Sequence, residues 1–163
     1  MLTLGILTIS DKGSAGERED ESGAVIEKIL TDFGARITCR QIVPDERDAI
    51  GGKLIEWADS GKTDLILTTG GTGLSPRDIT PEATMAVIEK LVPGISEAMR
   101  AESMKITPRG MLSRGVSGIV GKTLVINLPG SPKAVRECLE AILPALLHAV
   151  ETVRGEAFEC AQD

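Results

Sequence analysis

The chain has 163 residues, a size that fits one domain spanning residues 1–163, and 42% hydrophobic with 26% charged residues is ordinary for a globular protein. The aromatic fraction is 2%, with no Tyr, so the core is aliphatic, and the rarity of rings argues against a base-stacking platform for single-stranded nucleic acid. A net charge of −6 argues against duplex binding through a basic face, so nucleic acid is not an expected partner.

The first residues, Met1 to Ile9, are apolar but carry no basic leader and are too short to span a membrane; they predict a first strand over Leu2–Ile9 and a cytoplasmic protein with no membrane partner. A polar segment containing Ser10, Asp11 and Asp20 follows. Val25, Ile26, Ile29, Leu30 and Phe33 recur at helical spacing, and Gly34 stops that helix. Ile37–Val43 reads as a second strand. Pro44-Asp45 then precedes a helix over Glu46–Asp59, with Ile50, Leu54 and Trp57 on its inner face. Leu65–Thr69 is a third strand of the kind that a parallel sheet buries on both faces.

The most informative stretch comes next. Gly70, Gly71, Thr72 and Gly73 form a glycine turn whose backbone N–H groups an anion can approach closely. Arg77 and Asp78 follow, and Thr80-Pro81-Glu82 reads as an N-cap, a first helical proline and an acid at the positive helix end. A tight strand-to-helix turn explains one or two glycines; three beside an Arg-Asp pair predict a site. The helix is expected over Pro81–Leu91, broken by Pro93-Gly94, with another over Ile95–Met104 and a short helical piece around Met111–Arg114. Arg100 and Arg114, on these pieces, read as solvated charges. Leu124–Asn127 is the last strand. Pro129, Gly130 and Ser131 then turn into a long helix that Pro144 is expected to kink or split.

Strands alternating with helices predict an α/β fold, a three-layer sandwich with a mostly parallel central sheet. The polar segments all follow strands, so they are expected to converge at one edge, where such sheets bind ligands. Gly61-Lys62-Thr63 and Gly121-Lys122-Thr123 are not P-loops: each precedes a strand, and Glu56 and Val116 stand where a further glycine is required. Asp45 and Asp78 each follow a strand end and could hold Mg²⁺ beside phosphates; Asp45 has an equal alternative as a helix cap. Asp11 and Asp20 fit as turn residues or as ligands. Cys39, Cys138 and Cys160 have no metal or disulfide spacing, and His148 is a lone histidine late in a helix.

Taken together, Thr8-Ile9-Ser10-Asp11, Val43-Pro44-Asp45-Glu46, Thr69 to Glu82, Pro93-Gly94 with Glu97, Met111-Leu112-Ser113-Arg114 and Asn127 to Lys133 resemble the molybdopterin adenylyltransferase family of molybdenum cofactor biosynthesis. The matching domains of gephyrin and of the plant cofactor enzyme are similar. The resemblance implies a molybdopterin-binding-domain-like fold, a homotrimer, and transfer of an adenylyl group from Mg-ATP to the terminal phosphate of molybdopterin, with Mg²⁺ as the metal and ATP and molybdopterin as substrates. It implies catalytic and metal-binding roles for Asp45 and Asp78. Ser10, Asp11, Thr69, Gly70, Gly71, Thr72, Gly73, Arg77, Pro129, Gly130 and Ser131 are implied to bind substrate or nucleotide, and a downstream molybdenum insertase is an implied partner. The alternative is a non-catalytic pterin- or nucleotide-binding paralogue. In one such class the segment after Pro93-Gly94 carries aromatics; here Glu97–Met104 has none, which favours the adenylyltransferase group.

Overall fold

The computed structural model describes residues 1–156. Phe158 and Cys160 lie outside the described residues. Six strands form one sheet: β1 (Thr3–Ile9), β2 (Arg36–Val43), β3 (Leu65–Thr69), β4 (Lys90–Leu91), β5 (Ser117–Val120) and β6 (Thr123–Leu128). Their order is β2-β1-β3-β6-β5-β4. The first four in that order run parallel, whereas β5 and β4 are antiparallel to their neighbours.

Alternation along the strands sorts the core into two layers. Leu4 and Ile6 of β1, Leu65 and Leu67 of β3, and Leu124 and Ile126 of β6 pack under Ile26 and Leu30 of α2 (Glu21–Asp32), Met99 of α5 (Pro93–Ile106), and Val135, Leu139 and Ile142 of α6 (Pro132–Arg154). Leu7, Ile66 and Val125 face the other way, onto Ile50, Leu54 and Trp57 of α3 (Arg47–Asp59) and Ala83 of α4 (Thr80–Met85). The three-layer sandwich and mostly parallel sheet expected from the sequence are therefore present.

Several local expectations change. The predicted helix over Pro81–Leu91 ends at Met85, and Lys90–Leu91 pair with β5 instead. Ala83, Val87 and Leu91 mimic helical spacing, but the backbone bond from Glu89 N–H to the Ile119 carbonyl draws the chain to the sheet edge. Pro93 starts a helix rather than breaking one, as its missing N–H allows in a first turn. The segment around Met111 is a 3-10 helix over Pro108–Leu112. The sequence reading missed β5; it forms a hairpin with β6 around Gly121, whose φ of 59° suits the tight connection. The rejected Gly121-Lys122-Thr123 triplet is that hairpin turn. Helix α6 runs through Pro144 without being split.

Candidate active site

Strand order reverses between β1 and β3, because β1 leads to β2 on one side while β3 lies on the other. Loops after those two strands therefore separate and leave a crevice at their C-terminal ends. A cleft of about 720 Å³ occupies this position. Its walls include Ser10 and Asp11 after β1, Asp45 after β2, Thr69, Gly70, Gly71 and Asp78 at and after β3, and Gly130 and Ser131 after β6. The expected convergence at one edge is present. Thr72, Gly73, Arg77 and Pro129 do not line this cleft. Pro129 borders a smaller cavity of about 190 Å³ between α5 and α6, and Arg77 lies on the outer side of the Asp45 loop.

Hydrogen bonds tie the loops together. The Asp11 N–H donates to Asp45 Oδ2 at 3.0 Å, and the Asp45 N–H donates back to Asp11 Oδ1 at 3.0 Å. Asp45 is therefore not a helix cap: Glu46 takes the N-cap position of α3, without a side-chain bond. Arg77 grips Asp11 with both ends of its fork, Nε to Oδ2 and a terminal nitrogen to Oδ1, each at 2.9 Å. Arg77 is thus an exposed, ion-paired side chain rather than a free cation. Its hydrogen bond and the Asp45 N–H hold the Asp11 carboxyl below the ordinary aspartate value. Asp45 behaves in the opposite sense. Burial raises its pKa, and the nearby charges of Asp11 and Asp78 add to the rise against the opposing Asp11 N–H and Arg77.

The glycine turn is fixed by contacts, not only by backbone freedom. Gly70 has φ 97°, and a Cβ there would stand 2.3 Å from the Ile9 carbonyl oxygen. Gly71 has φ 68°, and a Cβ would stand 2.2 Å from Thr80 Oγ1. Thr80 is not the cap expected from the sequence. Ile79 precedes the helix, while the buried Thr80 donates its hydroxyl to the Gly70 carbonyl at 2.9 Å and its N–H to the Gly71 carbonyl at 3.1 Å. Two other hydroxyls hold the Pro129-Gly130 turn: Thr69 donates to the Pro129 carbonyl and Ser22 to the Gly130 carbonyl, both at 2.6 Å. Ser131 caps α6 by accepting from the Ala134 N–H. Asp20 resolves as the cap of α2 and pairs with Arg40.

Sequence reasoning missed three contributors. Arg114 and Arg100 are not solvated charges. Arg114 binds the carbonyls of Gly73 and Asp78 and pairs with Glu82; Arg100 donates to the Gly115 carbonyl at 3.0 Å. Burial works to raise the Glu82 pKa, but the Arg114 hydrogen bond and Glu82's own backbone N–H outweigh it and leave the group lowered. Thr8, at the end of β1, lines the cleft while buried, and its hydroxyl has no hydrogen-bond partner among the described residues. Thr8 and Arg114 fall within segments that carry the family resemblance, whereas Arg100 has no signal beyond its position on a helix.

No set of three His, Cys, Asp or Glu side chains among the described residues is arranged to cage a metal. Asp78 accepts one bond, at Oδ2 from the Ser75 N–H, and Asp45 one, at Oδ2 from Asp11. Each therefore has one carboxylate oxygen free of hydrogen bonds among the described residues, a hard donor of the kind that Mg²⁺ prefers. Cys39 is half-buried and Cys138 buried, the latter with its thiol pKa raised by burial.

The family described as "Probable molybdopterin binding domain" matches residues 5–148. The chain belongs to that family. It is 47% identical over 154 residues to the molybdopterin adenylyltransferase of Helicobacter pylori strain J99, covering 93% of this chain and 88% of that one. It is 42% identical over 163 residues to gephyrin of Dictyostelium discoideum, covering 94% of this chain but 23% of that larger protein. A solved structure of the molybdopterin biosynthesis enzyme MoaB from Thermus thermophilus superposes with a TM-score of 0.91 at 49% identity, over 98% of this chain and all of the other. No helix among the described residues is long and apolar enough to cross a membrane.

Proposed function

We propose that this molybdopterin-binding domain is a molybdopterin adenylyltransferase. A terminal phosphate oxygen of molybdopterin attacks the α-phosphorus of Mg-ATP, the bond from that phosphorus to the bridging oxygen breaks, and pyrophosphate leaves with the electron pair. The observation that carries the reading is the cleft itself: two carboxylates with free oxygens, Asp45 and Asp78, face a glycine turn and the start of α6 across a sheet switch point.

Both reactants are anions, and the chain is net acidic, so repulsion is the main obstacle to approach. Asp45 and Asp78 would hold Mg²⁺ brought with the nucleotide, and the ion would supply the neutralising charge. The protein's own part is positioning. N–H groups of Gly70, Gly71 and the first turn of α6 donate to phosphate oxygens, and Arg77, paired with Asp11, ties the loop after β3 to the loop after β1. Ser10, Thr69, Gly130 and Ser131 complete the binding surface for pterin and nucleotide in this cleft, and Thr72 and Pro129 stand behind it. In-line displacement needs no side-chain nucleophile, so the chemistry does not call on the cysteines or His148.

The working unit proposed is a single domain over residues 1–163 in a cytoplasmic homotrimer that passes its product to a molybdenum insertase. The test is pyrophosphate release measured with molybdopterin and ATP, together and singly. Release that needs both substrates and Mg²⁺ supports the proposal. Binding of both without release supports a non-catalytic paralogue.

A further inference from the structure

Arg114 stands outside the cleft, yet its guanidinium reaches the loop that carries Asp78. Nε donates to the Gly73 carbonyl at 2.8 Å and a terminal nitrogen to the Asp78 carbonyl at 3.1 Å. The other terminal nitrogen pairs with Glu82 on the first turn of α4. The Arg114 N–H also donates to the Thr72 carbonyl at 2.9 Å. These bonds bracket the segment from Gly73 to Asp78 at both ends.

One other side-chain anchor holds that segment: the exposed Arg77, whose fork clasps Asp11 after β1. Leu74, Ser75, Pro76 and Arg77 are exposed, so packing does not fix their course. Inside it, Ser75 and Asp78 close a turn, with the Ser75 N–H on Asp78 Oδ2 at 3.0 Å and the Asp78 N–H on the Ser75 carbonyl at 2.9 Å. Those two bonds fix the Asp78 carboxylate relative to Ser75 but do not place the turn relative to the sheet. The ends of the segment are tied to the rest of the fold by Arg114, and Arg100 in α5 ties down the neighbouring chain by donating to the Gly115 carbonyl. The planar fork matters here. Three nitrogens in a fixed plane can span two carbonyls and a carboxylate, which a lysine ammonium on one flexible stem cannot do.

We infer that Arg114 is a positioning residue: its guanidinium holds the carbonyls of Gly73 and Asp78 so that the Asp78 carboxylate stays at the cleft edge. It acts on the reaction through Asp78 and does not touch substrate. The inference rests on the proposed role of Asp78 in binding Mg-ATP.

The test uses Arg114→Lys and Arg114→Gln, each alone and combined with Asp78→Asn. Turnover, molybdopterin affinity, ATP affinity with and without Mg²⁺, and thermal midpoint are measured on the full chain. Arg114→Lys keeps a cation opposite Glu82 and so supplies a folded variant should the Gln variant fail to fold. The expected result is a fall in kcat of about 10- to 100-fold, as for a small misplacement of a reacting group. Molybdopterin affinity stays within about threefold of wild type, and the Mg²⁺-dependent gain in ATP affinity shrinks. In the Asp78→Asn background, the Arg114 change adds less than about threefold to either readout. Additive losses in the double variant, or wild-type kcat and Mg²⁺-dependent ATP affinity in Arg114→Lys, would overturn the inference. Full activity in Asp78→Asn alone would instead remove the proposed role of Asp78, a separate and recognisable failure.

Discussion

Asp45→Asn separates function from folding because the two respond with opposite sign. The substitution is nearly isosteric, and the amide oxygen can still accept from the Asp11 N–H. What it removes is a charge that burial, Asp11 and Asp78 already disfavour. A carboxyl whose pKa is raised on folding adds stability below its unfolded value, near pH 4, and loses that stability as pH climbs through the folded value. Above that point the charged side chain opposes folding, and Asn does not. The half-buried setting limits the effect, so the variant should match or exceed wild-type stability at pH 7 by about 0–1 kcal/mol. That corresponds to a midpoint raised by no more than about 4 °C in a chain of this size. The advantage should shrink as pH falls through the raised folded value and be gone below about pH 4. Activity moves the other way: losing a charged contact to the transferring phosphates should cost about two to three powers of ten in kcat, by analogy with lost oxyanion contacts. Paired thermal melts from pH 3 to 8 and pyrophosphate-release kinetics make the assay. A variant that loses more than about 1 kcal/mol, with activity falling only in proportion to the unfolded fraction, would show Asp45 to be structural and refute the reasoning.

Three further outcomes follow from individual contacts. Thr8→Val should leave stability unchanged or raise it by up to about 1 kcal/mol, because it removes a buried hydroxyl with no protein partner; a clear drop in the melt would show that the hydroxyl is satisfied in the folded chain. Asp64 accepts from the Thr3 N–H at 2.8 Å and from Arg154 Nε at 2.7 Å, and these bonds with the Thr3 hydroxyl outweigh the effect of burial to lower its pKa. Its contribution is present above about pH 4 and lost as pH falls through the lowered folded value, so Asp64→Asn should cost about 2 kcal/mol at pH 7 and progressively less on acidification below pH 4; a cost that does not change with pH would contradict the ion pair. Replacing Cys39, Cys138 and Cys160 together by Ala should preserve turnover, and a large loss in a folded triple variant would assign chemistry to a thiol.

What was legible in the sequence was what local pattern controls. Alternating strands and helices with glycine and proline punctuation predicted the layers, and the rule that polar loops follow parallel strands predicted the cleft edge. What stayed hidden depended on long-range partners. Asp45 and Thr80 both sit where a helix cap is favoured, yet Asp45 bonds across to Asp11 and Thr80 back to Gly70. Lys90–Leu91 follows a helical spacing until β5, itself too short to announce, claims it. In sequence Arg77 reads as an anion-binding cation and Arg114 as a solvated charge. Only the fold shows that one clasps a neighbouring carboxylate and the other two backbone carbonyls.

The central claim is that the group transferred is adenylyl. Incubating the protein with molybdopterin and ATP labelled at either the α- or the γ-phosphate, then separating pterin from nucleotide, tests it directly. The account predicts that α-label appears in the pterin product in equal amount to the pyrophosphate released, and that γ-label leaves wholly as pyrophosphate. Label from the γ-position in the pterin, or γ-phosphate released singly with no α-label transferred, would contradict it.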